Sequence, residues 1–246
     1  MLRVIKIFLL SITLLSPTVV LAQDFAYKKA QLTPGMAIRV IVNGIVHIEP
    51  LTDKNASRIE WSSAGKVQVS GQNIRIKGQA KIFVPQQVSV NIEMGEGEVY
   101  LNDLANNIVL KGDHGKVSLS NHLGSAKIKL DEGNLVVVHS KGNGGEIEAE
   151  VKNGRINLDW RGGKPGGGKA IIKKNGAGVV RIGKDAKATL WVGVVKGSLK
   201  VDSRIGRMSK NRCYLTAGGG GEGFELLVQQ GWAEIEIADQ TSSDEK

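Results

Sequence analysis

The fold is indicated by residues 95–138, which read GEGEVYLNDLANNIVLKGDHGKVSLSNHLGSAKIKLDEGNLVVV. Three glycines in this stretch, Gly97, Gly115 and Gly133, are each followed by apolar residues two and four positions later. Apolar residues also stand five and seven positions before each glycine. Alternation at period two is typical of a strand with one buried face, and a glycine between two such runs indicates a corner. Each unit therefore reads as strand, corner, strand.

The same pattern continues around Gly154, Gly178, Gly197 and Gly231. The seven glycines are 18, 18, 21, 24, 19 and 34 residues apart, and only Lys173, five before Gly178, breaks the apolar rule. A unit of this length cannot bury its apolar row alone, but stacked units align their rows into one core. The pattern predicts an all-β chain, a parallel β-helix or β-solenoid of about seven stacked coils. A sandwich or an antiparallel meander is the alternative, but neither is expected to keep the glycine in phase.

Upstream of the repeats, residues 38–76 also alternate, but their offsets before the glycine shift by one. This region reads as an irregular N-terminal β section that caps the exposed end of the stack. The predicted organisation is a signal peptide at 1–22, the N-terminal β section at 23–79, the β-solenoid repeat domain at 80–239 and a polar tail at 240–246.

The first 22 residues have the features of a secretory signal peptide. Arg3 and Lys6 precede an apolar run, and Ala22 before Gln23 gives a small-residue cleavage site. The run is short for a bilayer span, so an uncleaved anchor is the less favoured alternative, and no later segment is apolar for long enough to span. The sequence predicts an exported protein, periplasmic or at the cell surface or secreted. Its single cysteine, Cys213, excludes an intramolecular disulfide.

Three segments carry a resemblance to a known family: KIFVP at 81–85, VSVNI at 88–92 and GEGEVYL at 95–101, followed by the serial glycine units. With them the chain resembles the bacterial DUF4097 family, also described as adhesin-like β-strand repeat proteins. The resemblance runs from about residue 35 to residue 201 and is weaker beyond, where a long insertion precedes Phe224. It implies a β-solenoid on an exported or envelope protein, and it supplies no catalytic residues.

The chain is basic, with 33 Lys and Arg against 24 Asp and Glu and a net charge of +9. Basic residues concentrate in the Gly-rich segments 161–174 and 203–223, which both follow the second strand of a unit. In a solenoid they emerge on the same flank, two coils or about 10 Å apart. We predict a basic patch for an anionic envelope glycan, a lipid head group or an envelope protein. The candidate ligand-binding residues are Arg161, Lys164, Lys169, Arg204, Arg207, Lys210 and Arg212. The alternative is two solvated loops that only aid solubility.

Other candidate functional sites have little support in the sequence. Residues 163–170 approach the spacing of a phosphate-binding P-loop, but Ala170 stands where the hydroxyl is needed and a strand pattern follows. Asp103, Asn121, His139 and Trp160 each stand six residues after a corner glycine and should form a column on one edge, with His122 beside it. His122, His139 and Asp103 could approach metal-ligand geometry there, although corner and edge positions favour polar residues in any case. We therefore predict no catalytic residue, no metal and no cofactor. Aromatic residues are scarce, which argues against nucleic acid as a partner.

These observations predict an exported, non-catalytic structural or binding module of the bacterial cell envelope, adhesin-like in character. The alternative is a polysaccharide-active β-helix enzyme, a lyase or a hydrolase. The chain is short for that class, and its basic segments lack an adjacent carboxylate cluster. Exposed strand edges could also pair with another copy of the chain.

Overall fold

The computed structural model describes residues 27–33, 35–53, 56–140, 144–164, 166–184, 188–205, 208–209, 211–217 and 222–238. Over these residues the chain is all-β, with fourteen strands and no helix, so no described helix could cross a membrane. The strands are β1 Lys28–Gln31, β2 Ile38–Pro50, β3 Arg58–Ser63, β4 Lys66–Ser70, β5 Asn73–Val84, β6 Val90–Asn102, β7 Ile108–Ser120, β8 Ala126–Val138, β9 Ile147–Trp160, β10 Gly168–Gly183, β11 Ala188–Val201, β12 Met208–Ser209, β13 Arg212–Ala217 and β14 Gly223–Ala238. The predicted signal peptide and polar tail lie outside the described residues.

Nine long strands form one parallel ladder within the described chain. Their order in space is β5-β2-β6-β7-β8-β9-β10-β14-β11, and all eight neighbouring pairs are parallel. Glycine faces glycine across the central pairs, as in the alignments of Gly97 with Gly115 and of Gly115 with Gly133. This arrangement is consistent with a β-solenoid.

Each long strand is bent at its corner glycine into a first arm before it and a second arm after it. In β7, Ile108 and Leu110 before Gly115 are buried, and so are Val117 and Leu119 after it. The two sets are offset by an odd number of positions, which would place them on opposite faces of a flat strand. The backbone of Gly115 has a φ of 140°, so the chain turns there and both arms face one core.

Close stacking also requires glycine at the corner. A Cβ atom on Gly133 would lie 1.9 Å from the carbonyl oxygen of Gly115 in the neighbouring strand. The glycines therefore form a column in which each backbone packs directly on the next. Because the column fixes the register, the Val, Ile and Leu side chains of successive arms fall into continuous rows and form one apolar core.

At both ends of the ladder the order in space departs from the order in sequence. β2 lies between β5 and β6, and β14 lies between β10 and β11. The insertion that precedes Phe224 in sequence is not a loop throughout, because it contains β12 and β13. β13 runs antiparallel to the first arm of β11, with Leu190 opposite Leu215. The boundary predicted between residues 79 and 80 falls inside β5, which continues the ladder beyond β2.

The corner of β10 is also displaced from its predicted position. Gly176 aligns with Gly154 of β9 and with Gly231 of β14, whereas Gly178 lies two positions into the second arm. The register shifts between Ile172 and Gly176, where β10 carries one residue more than β9. Such a bulge moves one strand relative to its partner without ending the pairing.

The two ends of the ladder are covered to different extents. β3 and β4 both pair with the outer edge of β5, and β1 pairs with β3. At the other end β13 covers the first arm of β11, and no described strand pairs with the outer edge of its second arm. Lys200 is exposed on that arm, and edge lysines disfavour unwanted strand pairing.

Candidate functional site

The structure divides the predicted basic residues between two places. Arg161, Lys164 and Arg204 lie on the connecting segments that follow the second arms, as the sequence predicts. Lys169 and Arg212 instead lie on β10 and β13, in the region of the first arms. Arg207 and Lys210 lie outside the described residues. The described members of the sequence-predicted set therefore lie in two regions of the ladder.

Two of the arginines are held by the carboxylate two residues before them. Nε of Arg161 donates to Oδ1 of Asp159 at 2.9 Å, and its Nη2 donates to Oδ2 at 2.7 Å. Arg204 repeats this contact with Asp202, at 2.9 and 2.7 Å. The hydrogen bonds from Arg204 hold the pKa of the Asp202 carboxyl well below its usual value, and the bond to Asp159 raises the pKa of Arg161. Each guanidinium is thus fixed in position and partly neutralised.

These arginines are farther apart than the sequence suggests. β10 and β14 both lie between β9 and β11, so three strand spacings, or about 14 Å, separate Arg161 from Arg204. Lys184 follows β10 at the same edge, where its backbone N–H donates to Ala238 at 3.3 Å. We refer to Arg161, Lys184 and Arg204 as the edge row. The sequence analysis missed Lys184, because only the pairing of β10 with β9 and β14 shows that it lies at this edge.

Farther along this edge, in the central coils, the connecting segments carry polar side-chain contacts without a basic residue. Asp103 and Asn121 both have positive φ, 54° and 50°. Nδ2 of Asn121 donates to Oδ1 of Asp103 at 3.2 Å, and Oγ of Ser140 donates to Oδ1 of Asn121 at 3.0 Å. The sequence also assigned His139 and Trp160 to this column, but the structure buries both side chains.

His122 and His139 form a buried pair rather than a surface site. Their exposed fractions are 0% and 1%. Burial lowers both pKa values, and that of His139 falls to about 4. Both rings are therefore neutral near pH 7. In the part of the chain that the structure describes, no three His, Cys, Asp or Glu side chains are grouped to hold a metal ion.

A groove lies on the outer face where β14, β11 and β13 meet. It has a volume of 870 Å³ and is lined mainly by Trp191, Gly193, Val195, Arg212, Tyr214 and Leu227. The ring centroids of Trp191 and Tyr214 are 4.4 Å apart at an angle of 57°. These side chains are 55% and 49% exposed, which is unusual for large aromatic residues on a sheet face. The sequence analysis did not identify this site.

Three further side chains supply polarity or sulfur to the groove: Ser209, Glu225 and Cys213. Cys213 is buried, and burial raises the pKa of its thiol, so the side chain is not an activated nucleophile. Glu225 is exposed and aligned with Trp191 on one side and with Lys169 on the other. The groove thus combines an aromatic wall with separate charged groups.

Comparisons with known proteins add little to this description. No family model matches the chain, so the resemblance to DUF4097 stays a prediction, and no curated protein matches it. The chain is similar to the crystal structure of a protein from Clostridium sporogenes that is provisionally described as a cell adhesion protein. The match covers 86% of this chain and 99% of that chain, at 10% identity and a TM-score of 0.33. Likeness at this level supports no conclusion about function.

Proposed function

We propose that the protein is an exported, non-catalytic β-solenoid of the bacterial cell envelope, a binding module that holds an anionic envelope polymer. The observation that carries this proposal is the edge row. Arg161, Lys184 and Arg204 follow the second arms of β9, β10 and β11 at one edge of the ladder, over about 14 Å, with Lys184 one residue beyond the level of Arg161. A row of cations on a rigid scaffold attracts a linear polyanion by summed charge.

Arg161 and Arg204, whose side chains are held by aspartates, favour binding in a second way. An arginine side chain loses rotamer freedom when it binds a ligand, which opposes association. Arg161 and Arg204 are already ordered by Asp159 and Asp202, so less freedom remains to be lost. The partial neutralisation by these carboxylates makes each contact weaker, and binding therefore depends on several contacts along the polymer.

The arrangement of carboxylates supports a non-catalytic role. Hydrolysis of a glycosidic bond usually requires two carboxyl groups on opposite sides of that bond. Among the residues that line the groove, Glu225 supplies a single carboxylate. The carboxylates beside the edge row, Asp159 and Asp202, are occupied by arginines.

The test is the binding of the chain from Gln23 onward to purified teichoic acid and lipopolysaccharide at low and at elevated salt. We expect binding that weakens about tenfold as salt rises, because the contacts are exposed ion pairs. The variant with Arg161, Lys184 and Arg204 all changed to Gln should lose most of this affinity. The matched control changes Lys66, Lys111 and Lys129 to Gln, which removes equal charge from exposed positions on other strands.

Equal loss of affinity in both triple variants would show that only total charge matters, and the edge row would then have no specific role. Incubation with uronate polymers tests the catalytic alternative. An unsaturated product that absorbs in the ultraviolet would overturn the non-catalytic proposal.

A further inference from the structure

The floor of the groove is a glycine in the middle of an arm. Gly193 lies between Leu227 of β14 and Arg212 of β13 in one cross-strand row. It has no part in the corner column, and its φ is not in the left-handed region. A Cβ atom added there would lie 3.3 Å from Cδ1 of Leu227 and from no other atom closely. A glycine that backbone geometry does not require often marks a place where a ligand approaches the strand.

The wall of the groove is the Trp191 and Tyr214 pair, in the row next to Gly193. In the central coils the same outer face carries charged pairs, such as Lys127 with Glu148 at 3.0 Å. The change from charged to aromatic side chains is therefore local to this end of the ladder. Val195, 55% exposed, and Leu227 extend the apolar surface on the other side of the floor. Contiguous exposed apolar surface of this kind marks a binding site.

The charges of the groove are uneven. Glu225 is aligned with Lys169 on the neighbouring strand β10. Arg212 is exposed and makes no ion pair or side-chain hydrogen bond with any other described residue. The groove thus offers one uncompensated guanidinium, which suits a carboxylate because its donors match the two oxygens.

The strand pairing around the groove restricts the kind of molecule that can bind in it. β13 covers the edge of the first arm of β11, so an extended peptide cannot add a strand there. An occupant must contact side chains from above the sheet face. A sugar ring fits this geometry, because its C–H face can rest on an aromatic ring while its hydroxyl groups reach polar side chains at the rim. A volume of 870 Å³ is large enough for a short oligosaccharide.

We propose that this groove binds an acidic oligosaccharide. One sugar ring packs against Trp191 and Tyr214, its carboxylate accepts hydrogen bonds from Arg212, and a hydroxyl group donates to Glu225. The inference rests on the proposed function, since it names a sugar acid as one component of the anionic polymer. It places that recognition on the first-arm face, on side chains other than those of the edge row.

The experiment measures binding of trigalacturonic acid by calorimetry and by quenching of tryptophan fluorescence. Maltotriose, a neutral trisaccharide, is the comparison ligand. We expect saturable binding of the acidic trisaccharide, with at least about tenfold weaker binding of the neutral one, because a charged hydrogen bond to Arg212 is lost. Trp191→Ala and Arg212→Gln should each weaken the acidic ligand about tenfold or more.

Two further variants guard the result against general effects. Gly193→Val fills the floor without removing any contact, and valine is well suited to a strand, so it should fold and lose binding. Trp232→Ala removes an exposed tryptophan from the second-arm face and should bind as the parent does. Circular dichroism checks the fold of each variant.

The outcomes separate this inference from the proposed function. Loss of binding in Trp191→Ala and Gly193→Val, with no effect of the edge-row variant on the trisaccharide, supports the groove whatever the polymer assay shows. Absence of binding by the folded parent chain overturns the inference, and so does binding that Gly193→Val leaves intact. Equal affinity for the acidic and neutral trisaccharides contradicts the role of Arg212.

Discussion

The central coils and the C-terminal end of the ladder are built from the same kind of strand but are assembled differently. From β6 to β9, strands that follow each other in sequence are neighbours in space, and their corner glycines are aligned. At the C-terminal end the last strand, β14, lies between β10 and β11. The corner of β10 is displaced there as well, to Gly176.

The two regions also differ on their outer faces. In the centre, exposed rows carry opposite charges, as in the contact of Lys152 with Asp131 at 3.2 Å. At the C-terminal end the outer rows carry Trp191 and Leu227, and the groove opens between them. The groove exists only because β14 brings Glu225 and Leu227 beside β11. We infer that the regular coils supply the scaffold and that the interrupted order supplies the binding surface.

The largest test of this difference is removal of β14 by ending the chain after Glu222. The cut removes buried Phe224, Leu226, Val228 and Ile235, whose burial contributes on the order of 8 kcal/mol. We expect β10, β11 and β13 to lose protection in hydrogen exchange while β6 to β8 keep theirs. A chain ended after Ala238 is the control. Loss of protection in all coils at once would show that the two regions are a single cooperative unit.

The second test compares two glycines with different roles. Gly133→Ala introduces a Cβ atom 1.9 Å from a neighbouring backbone oxygen at a φ of 142°, and should lower the free energy of unfolding by at least about 4 kcal/mol. Gly193→Ala meets only a flexible leucine end and should change it by less than about 0.5 kcal/mol. Chemical denaturation measures both. Similar losses in the two variants would contradict the column of stacked glycines.

The third test uses pH to destabilise the central coils. The folded-state pKa of His139, about 4, is below the ordinary value, so the unfolded chain binds more protons as pH falls. The contribution of neutral His139 to the free energy of unfolding is therefore fully present well above pH 6.5. It declines by about 3 kcal/mol as the pH falls towards 4. His139→Leu should flatten this dependence. An unchanged pH profile in His139→Leu would assign the acid sensitivity to other groups.

The smallest expected effect concerns the charged outer face of the central coils. Lys127→Ala removes the 3.0 Å contact with Glu148, which lowers the pKa of that carboxyl through a hydrogen bond. Both side chains are exposed, so we expect only a small loss of stability, which disappears at high salt. Thermal unfolding at low and at high salt measures it. A loss of several kcal/mol would mean that these rows stabilise the coils rather than cover them.

Much of the central region could be predicted from sequence because its determinants are local. The apolar offsets around Gly97, Gly115 and Gly133 identify the arms, the corners and the inward rows, and the structure buries those rows. The polar column of Asp103 and Asn121 was also predicted from its fixed distance to the glycines. Both residues adopt the positive φ that Asp and Asn tolerate better than most residues.

The C-terminal end could not be predicted in the same way. The corner of β10 is Gly176, two positions before the predicted Gly178, and alternation alone does not show where a bulge such as the one before Gly176 lies. The position of β14 depends on pairing between residues about 55 apart, for which the repeat gives no signal. The sequence contains one indication of the groove, which is Trp191 at an outward position of a strand. Its partner Tyr214 joins it only through the pairing of β13 with β11.

The most direct test of the account is disulfide formation between β10 and β14. Arg181 and Glu236 are aligned neighbours whose side chains are 2.6 Å apart. With both changed to cysteine and Cys213→Ala as background, we predict rapid formation of the 181–236 disulfide on mild oxidation, detected by mass spectrometry. If β11 were instead the neighbour of β10, position 181 would lie beside position 202. A second variant with cysteines at 181 and 202 would then form a disulfide, and the 181–236 pair would stay reduced. That result would contradict the inserted strand and the groove built on it.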